Sequence, residues 1–139
     1  MLFVFVDTSA LVAFFDKSDN HHLEAIAKMK VIKQQKIKLL MSDYIFDETV
    51  TMVLAKVGHK IAVEVGESIL NQHIIKIVSL SDAIKRRAWE YFKRHNDKIY
   101  SFTDCTSFVL MEEKGISYYF SFDDDFKRAG FIDIYRRYL

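Results

Sequence analysis

Four consecutive apolar residues, Phe3 to Val6, open the chain, and Asp7 follows at once. An unbroken apolar run of this length, two of its members β-branched, predicts a short strand buried on both faces. Ile37–Met41, Ile74–Leu80 and Ile116–Phe122 repeat the pattern, and Phe131–Tyr135 adds a last edge strand. Between these runs the spacing turns helical. Residues 8–15 form one helix, closed by the polar cluster 16–20, and residues 21–35 form another with Leu23, Ile26, Ala27 and Val31 facing inward. Ser42 and Asp43 are N-cap types opening a helix over 44–57 that Gly58 ends. In His59–Asn71 the residues Ile61, Val65 and Ile69 share one helical face. Ser81 caps a helix to residue 95 with Ile84, Ala88, Trp89 and Phe92 in one stripe. After a polar loop, Ser101-x-x-Asp104 has the form of a capping box for a helix that Gly115 stops.

Strand, two helices, strand, two helices, strand, two helices, strand is the order of an α/β fold. It predicts a parallel sheet of four to five strands covered by helices on both faces. With 139 residues, no proline and four glycines, there is little room for a linker, and a single domain over 1–139 is expected. The net charge of +1 supplies no general attraction to polyanions, and the lysines at 28, 30, 33, 36 and 38 read as a solvated face. One cysteine, Cys105, excludes an intramolecular disulfide and a multi-cysteine zinc cage. It also suits a reducing compartment. No signal peptide or membrane span is legible, and a cytoplasmic protein with no membrane partner is expected.

Carboxylates change this picture. Asp7 leaves the first strand at its carboxyl end, where open α/β sheets bind ligands. It is equally an ordinary N-cap for the next helix. Glu48 shares its helical face with Tyr44, Ile45, Met52 and Ala55, a costly place for a charge that is neither paired nor bound to a cation. Asp104 points along a stripe with Phe108 and Met111, and taken singly the capping box accounts for it. Asp123 leaves the fourth apolar run as Asp7 leaves the first, Asp124 reads as a cap for the turn behind it, and Asp125 stays open between the two roles. Delivered to one place, such groups repel one another unless a cation sits among them. Hard oxygen clusters suit Mg²⁺ or Mn²⁺, which activate water and clamp phosphodiesters. There is no glycine-rich phosphate loop, zinc motif or nucleophile elbow to support another chemistry.

These residues resemble the PIN-domain family. The opening strand with Asp7-Thr8-Ser9-Ala10-Leu11 is similar to its first motif, and Glu48 within Tyr44–Leu54 to its second. Phe102-Thr103-Asp104-Cys105 resembles the third, and Phe120-Ser121-Phe122-Asp123-Asp124-Asp125-Phe126 with Gly130-Phe131 the last. The resemblance covers essentially the whole chain, with Ser121 where threonine is common and Cys105 where a smaller residue is usual. It implies a three-layer α/β/α fold, an acidic pocket for Mg²⁺ or Mn²⁺, and endoribonuclease activity. By position, Asp7, Glu48, Asp104 and Asp123 would be ligands or water-orienting carboxylates, with Ser9 supporting them and Asp125 as a fifth acid. Single-domain chains of this length most resemble VapC-type toxins, which implies an RNA substrate, a cognate antitoxin and a homodimer. An RNA-processing nuclease outside a toxin pair and a catalytically silent acidic-pocket binding module are the alternatives. A phosphotransfer domain with Asp7 as acceptor fits less well, because Lys127 lies in a short helix instead of directly after the last strand.

Overall fold

The computed structural model describes residues 2–138. The chain runs β1 (Phe3–Val6), α1 (Thr8–Phe15), α2 (His22–Gln34), β2 (Lys38–Ser42), α3 (Asp43–Lys56), α4 (His59–Asn71) and β3 (Ile75–Val78). It continues through α5 (Asp82–Arg94), α6 (Phe102–Lys114), β4 (Tyr118–Phe120), α7 (Asp125–Arg128), β5 (Ile132–Asp133) and α8 (Tyr135–Tyr138). The five strands form one sheet in the order β3-β2-β1-β4-β5, every neighbouring pair parallel. Helices flank it, α1 packing on α2 and α3, α3 on α4, and α5 on α6. Among the described residues no helix is long and apolar enough to cross a membrane.

Strand β1 is the centre of this order. The chain leaves it to build β2 and β3 on one side, then returns to place β4 on the other. Ligands of open α/β sheets bind at such a reversal, outside the carboxyl ends of the strands. Val6 pairs with Phe120, and the Asp7 backbone N–H donates to the Phe120 carbonyl at 3.0 Å. The residue after β1 and the residue after β4 therefore emerge side by side.

Phe5, Phe108, Phe120 and Phe126 are fully buried, joined by Leu39, Ile45 and Met111 among others. The Phe108 ring meets Phe126 edge-on at 5.1 Å and also touches Tyr91, Tyr100 and Phe131. It fastens α6 to α5 and α7 beneath the acidic end of the sheet. Phe108→Ala is expected to cost about 3–5 kcal/mol through lost transfer and a residual cavity, read by urea denaturation.

Most predicted caps are present. Ser42 and Ser81 accept the N–H of Ile45 and Ile84, Ser101 and Asp104 form a capping box, and Gly115 ends α6 with a φ of 68°. The buried face of α2 differs from expectation. Leu23 is 81 % exposed and Ile26 and Ala27 also face solvent, while Ala25, Lys28, Met29 and Ile32 are buried. The true stripe contains a lysine, and its counter-charge comes from the far end of the chain, Asp133. On α5, Ile84 and Ala88 face inward as expected, but Trp89 and Phe92 stack on each other at the surface. Tyr91 turns inward against Phe108 in their place. Strand β4 is shorter than its apolar run, since Ser121 already belongs to the site below.

Candidate metal centre

Asp7 occupies the N-cap position of α1, yet its side chain makes no capping bond. Its carboxylate turns towards β4, where Ser9 Oγ donates to Asp7 Oδ2 at 3.1 Å and Ser121 Oγ donates to the same oxygen at 3.0 Å. The two hydroxyls in turn accept from the next loop, Ser9 from the Phe122 N–H at 2.9 Å and Ser121 from the Asp123 N–H at 3.0 Å. With both hydroxyl protons on Asp7, the 3.0 Å approach of the two Oγ atoms is a contact between donors sharing one acceptor. Of the two roles open to Asp7, side-chain capping is not made: the residue stands at the N-cap position while its carboxylate faces the cleft hydroxyls.

Asp7 is 5 % exposed, and burial pushes its carboxyl up to about 7, with the charges of Asp104 and Glu48 adding to the rise and the Ser121 and Ser9 hydroxyls opposing it. Asp104 reaches the same place from the first turn of α6. Its Oδ2 accepts the Ser101 N–H at 3.1 Å. Burial pushes this carboxyl up to about 6, against the Ser101 backbone bond and with the charges of Asp123 and Asp125 behind it. Asp123 is also raised, first by burial and then by the Asp125 charge, while the Asp125 N–H bonded to its Oδ1 at 3.0 Å works the other way.

Asp104, Asp123 and Asp125 each offer an oxygen lying within 4.8 Å of the others. Asp123 and Asp125 both enter this set. They differ in their partners, because Asp125 Oδ1 also receives Arg128 at 2.9 Å. Asp7 and Glu48 stand outside the close triad and line the same open cleft of about 620 Å³ with Ser9. Glu48 is presented by α3, whose next residue, Thr49, donates to Thr8 Oγ1 at 3.4 Å and pins α3 to the start of α1. All six residues singled out in the sequence therefore meet at one cleft.

Others join them that the sequence did not single out. Arg128, Lys56 and His21 bring basic side chains to the cleft, and Asp124, at the N-cap position of α7 as expected but with no side-chain capping bond, also lines it. His21 stacks on Phe122 at 4.5 Å while about half of its side chain stays exposed. The i, i+3 spacing of Asp125 and Arg128 was the one available signal for that pair. The close triad offers only carboxylate oxygens, and three cleft carboxyls, those of Asp7, Asp104 and Asp123, are held above their usual range by burial and neighbouring charge. This donor set fits a hard divalent ion better than a soft one.

The Ser121 hydroxyl both donates to Asp7 and accepts from Asp123. Ser121→Ala is expected to move the Asp7 carboxyl above its present value of about 7, because a bond that favours the charged form is lost. A carbon-detected NMR titration of the Asp7 carboxyl reads that shift.

A family model described as PIN domain matches residues 4–132. The chain is 33 % identical over 132 residues to the 23S rRNA-specific endonuclease VapC20 of Mycobacterium tuberculosis, covering 94 % of this chain and 97 % of that protein. It is 30 % identical over 118 residues to a VapC ribonuclease of Archaeoglobus fulgidus, covering 81 % and 74 % of the two. The crystal structure of M. tuberculosis VapC20, described as a Sarcin-Ricin loop cleaving toxin, superposes with a TM-score of 0.84 at 32 % identity over 94 % of this chain and 98 % of that one. VapBC2 from Rickettsia felis, bound to a promoter DNA fragment, has a TM-score of 0.69 at 12 % identity, covering 96 % of each chain, a likeness of fold alone.

Proposed function

The chain belongs to the PIN-domain family, and from that premise we propose that it is a Mg²⁺- or Mn²⁺-dependent endoribonuclease, the toxin of a toxin–antitoxin pair. The observation that carries this reading is the convergence of Asp7, Glu48, Asp104, Asp123 and Asp125 on one cleft, three of them with oxygens within 4.8 Å of one another. Asp7, Asp104 and Asp123 would hold the ion, with Glu48 and Asp125 as further acids of the same cleft. When bound, such an ion supplies charge neutralisation at a phosphodiester and a lower pKa for an attacking water.

The chain's own groups account for the rest. Ser9 and Ser121 favour the charged form of Asp7 against its burial and fix its orientation. Arg128 and Lys56 supply positive charge at the rim, where a phosphate backbone would otherwise meet only carboxylates. The VapC20 relative makes 23S rRNA the first substrate to try.

Partners follow the same reading. The toxin reading implies a cognate antitoxin as protein partner. It also implies a second copy of the chain in a homodimer. Protein freed of metal by EDTA should leave 23S rRNA intact and cut it when Mg²⁺ or Mn²⁺ is restored. Cleavage undiminished in EDTA, or none under any divalent ion, contradicts the proposal; a stable antitoxin complex without turnover would point to the silent binding module.

A further inference from the structure

Lys28, expected on a solvated face, lies inside the fold. Only 3 % of the residue is exposed, and its Nζ donates to Asp133 Oδ2 at 3.2 Å. The same ammonium lies 4.9 Å from the Phe122 ring centroid and 4.9 Å from that of Tyr135. Lysine is almost never buried to this degree without partners. These three come from β5, from α8 and from the loop between β4 and α7, while Lys28 itself belongs to α2.

Each partner is tied onward. Asp133 Oδ1 accepts the Tyr135 N–H at 2.9 Å, which fixes the start of α8. Phe122 sits between Ser121 and Asp123 in the chain, gives its N–H to Ser9 Oγ, and stacks on His21. We propose that Lys28 is a positioning residue for the acidic loop 121–125, acting through the Phe122 ring and the Asp133 carboxylate. An apolar side chain in this place would fill space in several ways. A buried ammonium is stabilised only where its carboxylate and ring faces stand at the right distances, so it selects one arrangement of the loop.

The consequence for ion binding and cleavage rests on the nuclease reading; the consequence for the loop does not. Three amides report the loop directly: Phe122 bonded to Ser9 Oγ, Asp123 to Ser121 Oγ, and Asp125 to Asp123 Oδ1. In EDTA, Lys28→Met is expected to speed hydrogen exchange at these three by about tenfold or more relative to the Leu39 amide of β2, with Lys28→Arg restoring most of the protection. Mn²⁺ affinity of Lys28→Met should fall by about tenfold, and kcat should fall while KM stays near the parent value. Exchange unchanged at the three amides, or accelerated equally throughout the protein, overturns the assignment. Should Lys28→Met fail to fold, Asp133→Asn is read on the same amides, where local acceleration supports the role and none overturns it. A parent protein that neither binds Mn²⁺ nor cuts RNA ends the nuclease reading, and the exchange comparison still decides the role of Lys28.

Discussion

Asp7→Asn is expected to abolish RNA cleavage and, at the same time, to stabilise the ion-free protein at alkaline pH. The two effects share one cause. In the folded chain burial keeps the proton on the Asp7 carboxyl up to about 7, whereas the unfolded chain releases it near the ordinary aspartate value of 3.8. Between those values the folded state binds more protons than the unfolded one, so ion-free stability falls as pH rises through this window. Above it the full deficit remains, on the order of 4 kcal/mol if burial and the neighbouring charges act undiminished. Asp104 adds a deficit of the same sign that develops up to about pH 6. Asparagine keeps the shape of Asp7 and an oxygen for the Ser9 and Ser121 hydroxyls, and carries no charge to bury. Thermal unfolding in EDTA at pH 8 should therefore show Asp7→Asn melting several degrees above the parent, with the difference vanishing at pH 4. Equal melting at both values would mean that the carboxylate is not strained in the pocket.

The acids should not be equivalent in catalysis. Asp104→Asn and Asp123→Asn each remove an oxygen from the close triad and are expected to lower kcat by about 100-fold or more. Asp104→Asn leaves an oxygen for the Ser101 N–H, so the capping box and the start of α6 survive. Asp125 already shares one oxygen with Arg128, an exposed pair of small energetic worth. Asp125→Asn should therefore cost only about tenfold, in the range of an outer partner that orients a ligand. Single-turnover cleavage with saturating Mn²⁺ measures the series. Equal losses for Asp104→Asn and Asp125→Asn would place both acids in the same role.

What the chain reveals from sequence is what it encodes locally. The run Phe3 to Val6 followed by Asp7, and the Ser101–Asp104 box, each specify their structure within a few residues, and both are present as predicted. The convergence of Asp7 with Asp123 was legible because two parallel strands that each release an acid must release it at the same edge. Ser121 was legible only as a hydroxyl. Its bond to Asp7 depends on β1 and β4 being neighbours, which no local pattern encodes. The face of α2 was misread because Lys28 argued against the true stripe, and its partner Asp133 lies 105 positions away. Trp89 and Phe92 were read as core because hydrophobicity alone does not separate a buried face from one left open at the surface. The edge strand expected over 131–135 is present as the two-residue β5, whereas α8, of four residues, is too short for any periodicity to announce it.

The central claim is that these carboxylates hold a divalent ion. Mn²⁺ titrated into the EDTA-treated protein at pH 7.5, with free ion counted by electron paramagnetic resonance, tests it without RNA. The account predicts saturable binding by the parent protein that is lost in Asp7→Asn and Asp104→Asn while both variants stay folded. Mn²⁺ binding of equal strength in the parent and in both variants would contradict it.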